Sequence, residues 1–157
     1  MKEIGLKSYR FSIRWARIFP NADGKVNERG VKFYKSLVDE LINAGITPIC
    51  WDLPLWLHEL GGWENEEIIE HFVRYAEECV KALSDKIEYW LTLNEPGSFI
   101  DGGYRSGVHA PFLKLPEEGQ RAVTRIAMLA HGKAVAARGN KGIERTKIKS
   151  QNRTTKV

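Results

Sequence analysis

Apolar residues recur along this chain at helical spacing in three places. Val31, Tyr34, Leu37, Val38, Leu41 and Ile42 fall on one face of a helix that Asn27 would cap and Gly45 would end. A second stripe starts near Asn65 and runs through Ile68, Ile69, Phe72, Val73, Ala76, Cys79, Val80 and Leu83. Glu66 and Glu67 stand in its first turn, where the helix dipole favours acids. A third, from about Glu118 to Arg138, uses Val123, Ile126, Ala127, Ala130, Ala134 and Val135. Three short β-branched and aromatic runs alternate with these helices: Tyr9 to Ile13, Thr47 to Trp51, and Ile87 to Leu93. Asp52-Leu53-Pro54 breaks the second run, and Asn94-Glu95-Pro96-Gly97 stops the third ahead of a loop to Pro116.

The order β-α-β-α-β-α, with a helix between successive strands, implies a parallel sheet joined by right-handed crossovers. Such an α/β pattern fits a small doubly wound sheet or an arc of a (β/α)8 barrel. The chemistry-bearing residues choose between them. Trp15 and Arg17, Trp51 and Asp52, and Asn94 and Glu95 all sit just after strand ends, the rim where barrel enzymes build their sites. No Gly-rich phosphate fingerprint follows the first strand, which disfavours a nucleotide fold.

Charge changes the picture at one end only. The 157 residues hold 24 basic and 20 acidic side chains. Residues 139–157 carry six of the basic ones (Lys141, Arg145, Lys147, Lys149, Arg153, Lys156) and one acid, Glu144, leaving 18 and 19 in residues 1–138. The expected division is therefore a β/α domain over 1–138 and a basic, disordered tail over 139–157. The main body offers no basic face for nucleic acid, and no apolar run could span a bilayer. Cys50 and Cys79 make no disulfide framework, and no apolar signal core follows Met1, so a reducing, cytoplasmic location is expected.

Glu95 is the sharpest candidate for chemistry. A carboxyl at an apolar, aromatic rim can have a raised pKa and act as a general acid. The indoles of Trp15 and Trp51 could stack on sugar rings, whereas Trp63 and Trp90 are expected to fill the core. Arg17 could hold a sugar hydroxyl or a carboxylate through its fork of donors. His58, His71, His109 and His131 show no zinc spacing, so no metal is expected, and periodicity puts His71 on an exposed helical face.

Several stretches taken together resemble glycoside hydrolase family 1, the β-glucosidase family. They are Tyr9-Arg10-Phe11-Ser12-Ile13-Arg14-Trp15-Ala16-Arg17-Ile18, Trp51-Asp52-Leu53-Pro54, Gly61-Gly62-Trp63, Thr92-Leu93-Asn94-Glu95-Pro96, His109-Ala110-Pro111 and Ala130-His131-Gly132. The resemblance covers about residues 1–137. It implies a (β/α)8 barrel and retaining hydrolysis of β-linked glycosides without a cofactor. Glu95 matches the acid/base carboxyl and Asn94 the residue that hydrogen-bonds the sugar 2-hydroxyl. Trp51 matches an aromatic near the bound sugar, and Arg17 an arginine close to the catalytic carboxylates. Pro96 is more similar to the plain glucosidases than to relatives acting on 6-phosphorylated sugars.

The chain also departs from the family pattern. The family's nucleophile lies in a Glu-Asn-Gly motif on the seventh strand, and no Glu-Asn-Gly occurs here. The chain matches only strands two to four, whereas a whole barrel takes ~250 residues. The family's usual Thr-Leu-Tyr-His is absent before Trp51, where Pro48-Ile49-Cys50 stands instead. Arg14 replaces a small residue, and Asp101-Gly102-Gly103 a more apolar segment. The resulting expectation is an unclosed arc of about three parallel β/α units, inactive alone. A non-catalytic sugar-binding or regulatory remnant is the alternative. Unpaired sheet edges make self-association the expected behaviour.

Overall fold

The computed structural model describes residues 9–41, 46–48, 53–87, 89–139 and 147–148. Strand β1 (Tyr9–Phe11) leads into a single helical turn, α1 (Trp15–Ile18), and then helix α2 (Glu28–Leu41). Strand β2 (Ile46–Pro48) precedes the short helix α3 (Leu55–Glu59), a 3-10 turn at Gly62–Glu64 and the long helix α4 (Ile68–Leu83). Strand β3 (Tyr89–Trp90) is followed by α5 (Pro96–Ile100), a wide π-type turn at Asp101–Arg105 and α6 (Glu117–Gly139). Strand β4 (Lys147–Ile148) comes last.

The strands form two parallel pairs. Tyr9 aligns with Ile46 and Phe11 with Pro48, while Tyr89 aligns with Lys147 and Trp90 with Ile148. The backbones of β2 and β3 approach within 8 Å without forming a ladder. The parallel β/α reading of the sequence thus stands in its coarse form, but helices dominate and the strands are two or three residues long. The expected Ile87-to-Leu93 strand shrinks to Tyr89–Trp90. Residues 49–52 lie outside the described residues, so the end of the expected second strand, Trp51 included, is not placed. β4 falls inside the segment expected to be a basic tail and continues the pairing from β3.

The three predicted helices are present, and α4 is the hub of the core. Ile68, Ile69, Phe72, Cys79 and Leu83 of the expected stripe are buried, Val73, Ala76 and Val80 are partly buried, and Tyr75, which the stripe omitted, joins the buried face. Helix α6 lies along it through Val123, Ile126, Ala127, Ala130 and Ala134. Two ion pairs cross the same seam, Arg125 to Glu66 and Lys133 Nζ to Glu70 Oε1 at 2.6 Å. Their side chains are mostly exposed, so burial of the stripe rather than these charges holds α6 in place. Cys79 is buried within this face of α4. Among the described residues, no helix is long and apolar enough to cross a membrane.

Two details differ from expectation. His71 is half-buried, edge-on to Trp56 with ring centroids 5.3 Å apart, because the α3 segment folds back over that face of α4. The stretch after Glu95 is not a plain loop. Pro96 opens α5 at a first-turn position, where a missing N–H costs nothing and its fixed φ suits the helix.

Candidate functional site

The site is built where β3 runs out. Leu93 is buried at 7 % exposure, Asn94 is half-buried, and Glu95 is exposed. Glu95 takes φ 43° and ψ 60°, a left-handed backbone that a side chain with a Cβ enters at some cost. The next turn holds it there. Its carbonyl accepts the backbone N–H of Ser98 at 2.8 Å, and its Oε2 accepts the Ser98 hydroxyl at 3.2 Å. The expected apolar surroundings therefore belong to Asn94 rather than to the Glu95 carboxyl, which reverses across the turn to face solvent.

Asn94 lines a cavity of about 210 Å³ with Trp15, Leu53, Trp63, Phe72 and Tyr104 among its walls. Trp15 is 1 % exposed, stacked on Tyr75 at 5.1 Å between ring centroids and edge-on to Phe72 at 5.5 Å. That packing fixes it as a wall, not as a free stacking platform. Trp63 and Trp90 are buried, as expected of core indoles, and Trp63 also faces the cavity beside Phe99. Phe99 and Tyr104 come from the segment expected to be a loop. Their five-residue spacing is the one sequence signal that could have placed both on one side of a widened helical turn.

Tyr104 is the unusual member. It is 1 % exposed, and its Oη makes no hydrogen bond of ordinary geometry among the described residues, with the Trp63 backbone close enough to favour ionisation slightly. Burial pushes the phenol up to about 12. Its segment is seated by glycines. A Cβ on Gly103 would come within 2.8 Å of the Ala110 carbonyl oxygen, so the Asp101-Gly102-Gly103 departure lets the 109–111 loop close against the turn.

Arg17 is placed elsewhere. Its guanidinium lies 4.3 Å over the Phe33 ring of α2, and its carbonyl accepts Asn27 Nδ2 at 3.0 Å. It does not line the cavity that holds Asn94. The structure thus places Asn94 and Glu95 on the segment between β3 and α5, turns Arg17 toward α2, and leaves Trp51 outside the described residues. Among the described residues, no group of three or more His, Cys, Asp or Glu is arranged to hold a metal ion.

The glycosyl hydrolase family 1 pattern matches this chain over residues 1–155. The chain belongs to that family. The match runs past residue 137, where the resemblance was expected to end, and takes in β4. Beta-glucosidase A of Thermotoga maritima is 40% identical over 139 residues, which are 86% of this chain and 31% of that protein. Beta-glucosidase 25 of Oryza sativa subsp. japonica is 49% identical over 116 residues, 71% of this chain and 23% of that relative. Aryl-phospho-beta-D-glucosidase BglC of Bacillus subtilis is 42% identical, covering 86% of this chain and 29% of that protein. The solved beta-glucosidase from Thermotoga maritima in complex with glucoimidazole superposes with a TM-score of 0.85 at 36% identity, over 94% of this chain and 34% of that one. The family 1 chain described here thus spans about a third or less of these relatives.

Proposed function

We propose that this chain supplies the acid/base portion of a retaining β-glycosidase site. Glu95 is the proton donor, Asn94 binds the sugar 2-hydroxyl, and Trp51 flanks the bound ring. The observation that carries the reading is the turn at the end of β3. There Asn94 forms part of an aromatic-walled cavity and the adjacent Glu95 carboxyl is presented to solvent on a left-handed backbone. The likeness to beta-glucosidases in sequence and structure supports it. Arg17, stacked on Phe33, does not line the cavity that holds Asn94.

In retaining hydrolysis one carboxyl protonates the leaving oxygen while a second carboxylate, about 5 Å away, attacks the anomeric carbon. Water then cleaves the glycosyl-enzyme, with the first group acting as base. An anionic neighbour raises the acid's pKa until the covalent intermediate neutralises it. The 157 residues contain no Glu-Asn-Gly to supply that neighbour. As an isolated polypeptide, an unclosed arc of a (β/α)8 barrel, the chain is therefore inactive in this proposal. Unphosphorylated β-glucosides are the preferred substrate class, since Pro96 follows the acid.

A chimera tests the assignment. This chain replaces the matching third of the Thermotoga maritima beta-glucosidase. Glu95→Gln is then expected to slow hydrolysis of a poorly activated β-glucoside by ~10²–10⁴-fold, with added azide restoring part of the rate on an aryl glycoside. Full activity in the Glu95→Gln chimera overturns the acid/base role, and faster turnover of the 6-phosphorylated substrate overturns the substrate class.

The Trp15 and Trp63 walls beside Asn94 favour one second reading, a non-catalytic sugar-binding remnant. A saturable change in tryptophan fluorescence with methyl β-glucoside, lost in Asn94→Ala, would select it. Absence of that change selects the inactive catalytic fragment.

A further inference from the structure

Thr92 follows β3, and its Oγ1 lies 2.5 Å from Nδ1 of His131 on α6. The contact joins residues 39 apart in the chain, and both side chains are half-buried. Nothing in the chemistry proposed above uses His131. Helix α6 reaches this strand end because the residues flanking His131 on its inner face are small. Ala127, Ala130 and Ala134 are 0 %, 0 % and 6 % exposed, so no bulky side chain holds the helix away.

The segment between Thr92 and Pro96 is short, and it is gripped at both ends. Leu93 is anchored in the core next to Thr92. At the other end α5 begins, with the Glu95 carbonyl accepting from Ser98. Within it lie the half-buried Asn94 and the left-handed backbone of Glu95. A strained turn persists only where its surroundings over-determine it. On the strand side of that turn, the Thr92 hydroxyl ties the chain to α6 through its hydrogen bond with His131.

We propose that His131 is a positioning residue for the Asn94–Glu95 pair. Its hydrogen bond with Thr92 fixes the end of β3, and through it the backbone turn that aims the Glu95 carboxyl. The idea deepens the glycosidase reading and rests on it. Burial lowers the His131 pKa, which favours the neutral ring able to accept the Thr92 proton at Nδ1.

Amide NMR on the full 157-residue chain, without sugar, tests this. His131→Phe keeps the ring bulk and removes the polar atom, while His131→Asn keeps a polar atom close to the Nδ1 position. Thr92→Val, close in shape, removes only the hydroxyl. Displacement of the Asn94 and Glu95 amide signals in His131→Phe and Thr92→Val, with recovery toward wild type in His131→Asn, is the expected result. A merely structural role would lower the melting temperature of all three without singling out those two amides. Unmoved Asn94 and Glu95 signals, or His131→Asn behaving like His131→Phe, overturn the proposal. Should His131→Phe fail to fold, Thr92→Val alone decides by the same criterion. No glycoside enters this measurement, so its failure is distinct from failure of the catalytic assignment in the chimera.

Discussion

The phenol of Tyr75 on α4 donates a 2.6 Å hydrogen bond to the carbonyl of Ile13, just beyond β1, across 62 residues of sequence. Both groups are buried, and the same ring stacks on Trp15. Tyr75→Phe keeps the packing and strands a buried carbonyl, so it should destabilise the chain by about 1–3 kcal/mol. Urea denaturation at matched protein concentration measures this. No shift in midpoint would show that the carbonyl finds another donor.

Arg17→Met should cost about 0.5–1 kcal/mol through the lost contact with the Phe33 ring. It should leave any fluorescence response to sugar unchanged, since the guanidinium is turned toward α2. Loss of a sugar response in Arg17→Met would return Arg17 to the site.

Tyr104 makes a pH-dependent prediction. Its folded-state value of about 12 lies above the ordinary phenol value of about 10, so the folded state holds its proton where the unfolded chain releases it. The contribution is fully present below pH ~10 and is lost as pH rises toward ~12. Tyr104→Phe removes a buried hydroxyl that makes no hydrogen bond of ordinary geometry, so it should be neutral or stabilising at pH 7 and should flatten the alkaline loss. Thermal melts at pH 7 and pH 11 compare the two proteins. An equal alkaline drop in both would assign it to other groups.

The exposed apolar residues suggest self-association. Leu55, Val108 and Phe112 are 70 %, 66 % and 67 % exposed. Sedimentation velocity should show mass rising with concentration, and Val108→Ser with Phe112→Ser should reduce it. A monomer at every concentration would contradict this.

Much of this arrangement was legible in the residues. The α4 stripe reappears as its buried face because a 3.6-residue period has one packing solution against a core. Asn94-Glu95 lies between β3 and α5, and Pro96 opens that helix as a first-turn proline can. What the pattern hid was set by tertiary contacts. Arg17 could have pointed either way from a one-turn helix, and Phe33 decided it. His71 looked exposed because periodicity cannot see α3 folding over it. Phe99 on α5 and Tyr104 on the widened turn that follows are set five residues apart, a spacing outside the regular 3.6-residue period.

The torsion at residue 95 has one more implication. Asparagine and glycine occupy that region of backbone space more easily than glutamate does. Glu95→Gly or Glu95→Asn should therefore raise the unfolding midpoint even as either one abolishes proton donation in a completed barrel. Durability and reactivity would then be opposed at a single position, with the polypeptide kept slightly less robust than its own backbone would allow.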